Sequence, residues 1–313
     1  MGRADGRKRW LPAIVTAILA VSVVGAGIFY AGTHRKVKEG EIYLAQGHLT
    51  RMEAPLNDKM VAHASRLFNE IYESYLKPEQ ITPYLAVIPD KNYYLTEDKQ
   101  ERALDYEALV RAYTEANPYM TYLDITQLLT LSDYYITDSH WRQEDILDVA
   151  NFLAEQMGAH LNDEYRLTKL DEPFYGAYYE DGENRVSPDT ICYLDSDLLE
   201  SCTVTDVGEG KPLAIYDVEK AKEDFAYDLF LSGTVALLSI DNPNATSDKR
   251  LIIFRDSYAS SLAPLLVSGY RQIVMIDIRY VQSKVLGELV DFSDADVLFL
   301  YSTLLLNNSM GMK

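Results

Sequence analysis

The runs YLAVI (84–88), RLIIF (250–254), QIVMIDI (272–278) and ADVLFLY (295–301) are almost wholly apolar, and the stretches between them carry apolar residues at spacings of three and four. A strand buried on both faces reads as a continuous apolar run, and such strands alternating with amphipathic helices build βαβ units. The spacing of Met60, Ala64, Leu67, Phe68, Ile71 and Tyr75 predicts a helix over 58–76, and Ile146, Val149, Ala150, Leu153 and Met157 predict another. Further helices are expected at 105–116, at 259–268 and near 282–290, and a strand in YMTYLDIT at 119–126. The fold class is therefore α/β with a mostly parallel sheet. The alternation breaks between about 163 and 235, where Tyr, Asp, Gly and Pro are dense and DTICYL and PLAIYDV are the best strands, so this stretch reads as an inserted β-rich segment. Residues 33–57 are expected to form a linker and a small hairpin, because Gly breaks their short apolar stretches, and 58–313 the main domain.

Ahead of that body, the run from Trp10 to Gly32 holds no charged residue. At ~1.5 Å per residue it is long enough to cross the ~30 Å hydrocarbon core of a bilayer. Arg3, Arg7, Lys8 and Arg9 precede it, while Arg35, Lys36 and Lys38 follow interleaved with Glu39 and Glu41. This bias favours a cytoplasmic tail at 1–9, a single transmembrane helix at 10–32 and an extracellular body in the cell membrane. A cleaved signal peptide is the rival reading, given the small residues at 25–27; the continuation of the run through Ile28, Phe29 and Tyr30 favours an uncleaved anchor. In either case the chain is exported.

With 313 residues and a formal charge of −19, the chain has enough length for a sizeable core and the wrong sign for a phosphate backbone, so nucleic acid is not an expected partner. Cys192 and Cys202 lie ten residues apart with no Cys-x-x-Cys, which excludes a zinc ribbon and a thioredoxin-like site and leaves open whether they pair. No metal site or Gly-rich phosphate loop is read, and no cofactor is expected. The acidic loop EDGENRVSPD at 180–189 lacks the spacing of a calcium loop and reads as a solvated turn. The 24 tyrosines could stack on sugar rings, although packing is their commoner use.

Chemistry is suggested in two places. In YYITDSHW (134–141), Asp138 and His140 would project from one side if the segment is extended, so the carboxylate could orient the imidazole and leave its other nitrogen as a base. In LIIFRDSYASSLAPLL, Ser257 would follow a parallel strand and open a helix, where unpaired N–H groups can stabilise a developing oxyanion. Taken alone, each pattern is more often structural: an Asp-x-His pair arises by chance, and Asp256 or Ser257 can simply cap the helix. Of the five histidines, only His140 comes with a carboxylate.

YYITDSHW, LIIFRDSYASSLAPLL, VMIDIRY and VLFLYS, in that order, closely resemble the DHHW family of exported bacterial proteins. More distantly they resemble the periplasmic alginate O-acetyltransferases of the SGNH-like hydrolase superfamily. The second position of the family's name motif is Ser139 here rather than histidine. The resemblance implies an SGNH-like, flavodoxin-like α/β/α sandwich and a Ser–His–Asp triad of Ser257, His140 and Asp138. It also implies that Arg279 and Tyr301 line the site, the first holding substrate or developing charge and the second donating to an oxyanion, with Asp256 and Trp141 beside them. The implied activity is O-acetyl transfer to an exopolysaccharide or cell-wall glycan, with a multi-pass membrane acyltransferase as the acetyl-donor partner. A carbohydrate acetylesterase with the same triad and a non-catalytic glycan-binding or assembly protein are the alternatives.

Overall fold

The computed structural model describes residues 39–95, 104–179, 186–223 and 225–313. The expected cytoplasmic tail and anchor at 1–32 and most of the acidic loop at 180–189 lie outside them. Among the described residues no helix is long and apolar enough to cross a membrane.

The chain opens with a hairpin of β1 (Ile42–Ala45) and β2 (His48–Arg51). Its two-residue turn has positive φ at both Gln46 and Gly47, a conformation matching the twist of tight hairpins. Helix α1 (Asp58–Ile71), capped by the Asn57 side chain, continues as one π-turn through Leu76. Then come β3 (Tyr84–Ile88), α2 (Tyr106–Ala116), β4 (Thr121–Tyr122) and α3 (Leu147–Gln156). The segment read as inserted holds β5 (Arg166–Phe174), β6 (Asp189–Asp195), α4 (Asp197–Ser201), β7 (Thr203–Asp206) and β8 (Lys211–Leu213). The remainder runs β9 (Leu237–Asp241), β10 (Arg250–Arg255), α5 (Ala259–Leu266), β11 (Gln272–Ile276), α6 (Leu286–Leu289), β12 (Ala295–Ser302) and α7 (Thr303–Leu306).

Among the described residues eight strands form the main sheet, in the order β4-β3-β12-β10-β11-β9-β7-β8. The first five run parallel, and β9, β7 and β8 add antiparallel pairings. The parallel strands are apolar along their length because both faces are covered. Leu251, Ile253, Leu298 and Leu300 point into the core beneath α3 and α5, while Ile252, Phe254, Val297 and Phe299 point into the core beneath α1 and α2. This is the mixed α/β architecture that the strand–helix alternation predicts.

Three expectations change. The strand expected at 119–126 shrinks to Thr121–Tyr122, the one expected in PLAIYDV shrinks to Lys211–Leu213, and β9 falls where no strand is read. The inserted segment is only partly separate, since β5 and β6 pair with each other while β7 and β8 extend the main sheet. Cys192 and Cys202 are free thiols, each pushed up to about 11 by burial.

Candidate active site

Strands β3, β10, β11 and β12 all end on one side, where a parallel sheet places its ligands. An open cleft of about 420 Å³ lies there, its lining including His140, Ser257, Arg279, Arg51, Tyr178 and Glu53. Ser257 sits in the turn between β10 and α5. His140 comes from a loop 117 positions earlier, yet its Nε2 lies 2.7 Å from Ser257 Oγ. Its Nδ1 lies 2.6 Å from Asp138 Oδ1, completing a hydrogen-bonded chain from carboxylate to imidazole to hydroxyl.

The loop achieves this without being extended. Tyr134 bridges Trp141 and the Tyr135 N–H donates to the His140 carbonyl at 3.1 Å, so 134–141 is a closed turn. Asp138 and His140 meet because Asp138 Oδ1 also accepts the His140 N–H at 2.9 Å, an Asx-type turn that brings the ring onto the same oxygen. The Ala177 N–H donates to Asp138 Oδ2 at 2.7 Å. Burial works against the Asp138 charge, but the His140 ring and these N–H groups outweigh it and hold the carboxyl well below the usual carboxylate range. The Tyr227 ring stacks on the imidazole, with centroids 3.9 Å apart, and covers its face.

Gly176 is required by close approach. A Cβ there would collide with Asp138 Cβ and come within 2.6 Å of the Thr137 carbonyl oxygen. Gly176→Ala is expected to destabilise the fold by about 3 kcal/mol, the upper range for overpacking, and to move Asp138; chemical denaturation with the slope held constant measures it.

The other predicted residues divide: Trp141 and Asp256 brace the site, Tyr301 stands apart from it, and Arg279 lines it. Trp141 is fully buried, its Nε1–H donating to the Tyr258 carbonyl and to Ser261 Oγ at 2.9 Å, so it fastens the loop to the start of α5 instead of meeting substrate. Asp256 borders the cleft, but its carboxylate accepts the Tyr258 N–H, the Ser302 N–H and the Ser302 hydroxyl, tying the ends of β10 and β12 together. Tyr301 does not line the cleft: strand alternation turns it into the core under α1, 5.6 Å from the Phe68 ring, where its buried hydroxyl has no hydrogen-bond partner among the described residues. Arg279 does line the cleft; Asp277 grips its Nε and Nη2, at 2.9 and 2.6 Å, so the guanidinium is fixed and charged.

Asp189 carries a role the sequence reading missed. At the start of β6 it accepts the Ile136 and Thr137 N–H groups at 2.8 and 2.7 Å and the Thr137 hydroxyl, locking the His140 loop. Its signal was available, since DTICYL opens a strand with an acid where an apolar residue is expected. Among the described residues no cluster of His, Cys, Asp and Glu is arranged to hold a metal.

No protein-family model matches the chain, and no curated protein matches it in sequence. Solved structures match its fold. A DHHW family protein from Eubacterium siraeum superposes with a TM-score of 0.65 at 19% identity, covering 88% of this chain and 95% of that one. PatB1 of Bacillus cereus, carrying a sulfonyl adduct, superposes with a TM-score of 0.65 at 18% identity over 85% of this chain and 96% of its own. A second PatB1 structure gives 0.63 at 17%, covering 85% and 97%. The likeness at these identities is one of fold, the fold that the sequence resemblance implies.

Proposed function

We propose that this chain, whose fold is shared with a DHHW family protein and with PatB1, is an extracytoplasmic O-acetyltransferase acting on a hydroxyl of an exopolysaccharide or cell-wall glycan. The observation that carries the reading is the unbroken hydrogen-bond path from Asp138 through His140 to the Ser257 hydroxyl at the edge of the cleft. His140 Nε2 takes the Ser257 proton as Oγ attacks the carbonyl carbon of an acetyl donor. The tetrahedral oxyanion collapses, the donor's leaving oxygen receives the proton from His140, and an acetyl-Ser257 ester remains. A sugar hydroxyl then attacks that ester, its proton passing to His140 and on to Ser257 Oγ as the acetylated sugar departs. Asp138 holds the ring in the tautomer that leaves Nε2 able to accept, and stabilises the imidazolium in both halves. Arg279, fixed by Asp277, supplies positive charge to the cleft that the nucleophile also lines.

In this reading the apolar run at 10–32 anchors the enzyme, and the acetyl group arrives through a multi-pass membrane acyltransferase, since acetyl-CoA is cytoplasmic. Purified protein incubated with an activated acetyl ester and an oligosaccharide panel is expected to transfer acetyl to the acceptor, seen as a mass gain on the sugar. Free acetate alone, across the whole panel, would replace the transferase with an esterase.

A further inference from the structure

Among the described residues one lysine is completely buried, and it stands behind the catalytic loop. Lys91 follows β3 in a 3-10 turn, fully inaccessible to solvent. An ammonium has three N–H donors and is costly to bury unless each finds an acceptor. Lys91 Nζ donates to the carbonyls of Asp138 at 2.7 Å, Tyr135 at 3.0 Å and Ile136 at 3.3 Å, all on the loop that carries His140. The Tyr178 ring lies 5.3 Å from Nζ. The ammonium thus points its donors at the backbone of one turn, on the opposite side from the Asp189 carboxylate, which takes that turn's N–H groups. A cation on the carbonyls and an anion on the amides fix the turn from both sides.

We propose that Lys91 is a positioning residue for the chemistry at Ser257: its ammonium holds the backbone from Tyr135 to Asp138 so that the Asp138 carboxylate meets His140 in line with the nucleophile. The inference rests on the acyl-transfer reading only for the identity of the nucleophile. Burial pulls the ammonium down to about 8, against the opposing pull of Asp90 on its own turn, Asp138 on the loop and Asp189 on β6. His48 of β2 and the Tyr178 ring complete its surroundings. As pH rises through that value the charge is lost, the amine keeps two protons for three carbonyls, and the turn loosens. Glu53, pushed up to about 8 by burial and by Asp90, titrates in the same window from the hairpin side, so Glu53→Gln is the control that separates the two.

The test follows covalent labelling of Ser257 by a small sulfonyl fluoride, read by intact-protein mass from pH 6 to 10 in wild-type, Lys91→Met, Lys91→Arg and Glu53→Gln proteins, with folded fraction from circular dichroism. The wild-type rate constant is expected to fall above about pH 8. Folded Lys91→Met should label slower by on the order of 10²-fold below about pH 8, the loss expected of a misplaced catalytic group, and should lack that fall, so its gap to wild type narrows as the wild-type ammonium is lost. Lys91→Arg should be intermediate and also lack the fall, while Glu53→Gln should keep it. Folded Lys91→Met that labels within twofold of wild type with the same pH profile overturns the proposal. If Lys91→Met does not fold, the Lys91 ammonium is titrated in the wild type by lysine-selective carbon-13 NMR, and a labelling limb that does not track it is the overturning result. Labelling needs only an activated Ser257, so a wild-type protein that labels but acetylates no glycan sinks the transferase reading and leaves this one standing. A wild type that never labels sinks both.

Discussion

Ser257→Ala is expected to lower acetyl transfer by at least about 10³-fold while leaving the thermal unfolding curve within about 0.5 kcal/mol of wild type. The asymmetry follows from where the hydroxyl sits. Ser257 is half-buried in the turn after β10 and its Oγ faces His140 Nε2, so removing it leaves no buried partner stranded and no core cavity. What disappears is the atom that forms the acyl bond. Acetyl-ester turnover and mass labelling, measured on matched folded protein, check it. Activity within tenfold of wild type would show that Ser257 is not the nucleophile. Unchanged acetylation of glycans in cells expressing Ser257→Ala would favour the glycan-binding reading.

Asp138→Asn is expected to cost about 10³–10⁴-fold in turnover and, unlike the serine change, 1–3 kcal/mol of stability as well. Asp138 accepts N–H groups on both oxygens: His140 N–H and the ring on Oδ1, Ala177 N–H on Oδ2. An asparagine must turn its NH₂ toward one side, donor against donor. If it turns toward the ring, His140 is driven to the tautomer that cannot accept from Ser257; if toward Ala177, a buried amide is left unpaired. The pH dependence has a definite sign. Because the folded carboxyl ionises well below its ordinary 3.8, its contribution is complete above that value and is lost only as pH falls further. The stability gap between wild type and Asp138→Asn should therefore be constant near neutrality and close only in strong acid, measured by denaturant melts across pH.

How much of this was legible depended on the range of the interaction. The parallel strands announce themselves because both faces are buried, so Arg250–Arg255 and Ala295–Ser302 follow RLIIF and ADVLFLY closely. Strand β9, LLSID, escaped because Ser239 interrupts a short apolar run that leads into the polar stretch DNPNATSDK. Asp138 and His140 were found through a premise the structure replaces: they meet by an Asx turn, not by alternation along an extended segment. Tyr301 and Trp141 show the limit of motif-based transfer, since a motif gives an order of residues but not which face of a strand or loop each one takes. Lys91 and Asp189 act on backbone carbonyls and N–H groups of a distant loop, and every residue carries the same backbone groups. The one visible sign was an ion placed where the chain leaves or enters a buried strand, at IPDK and at DTICYL.

The ends of the main sheet bear on how copies of this protein can meet. One outermost strand, β4, is two residues long, and the other, β8, is three residues with Pro212 at its centre, a residue that has no N–H to offer a neighbour. Neither margin is long enough to template the backbone of a second chain, and the exposed β5 strand of the smaller sheet is guarded by Arg166, Lys169, Asp171, Glu172 and Pro173. Strand addition is therefore disfavoured at these three margins, which leaves side chains on the faces of the folded body as the groups through which copies would meet.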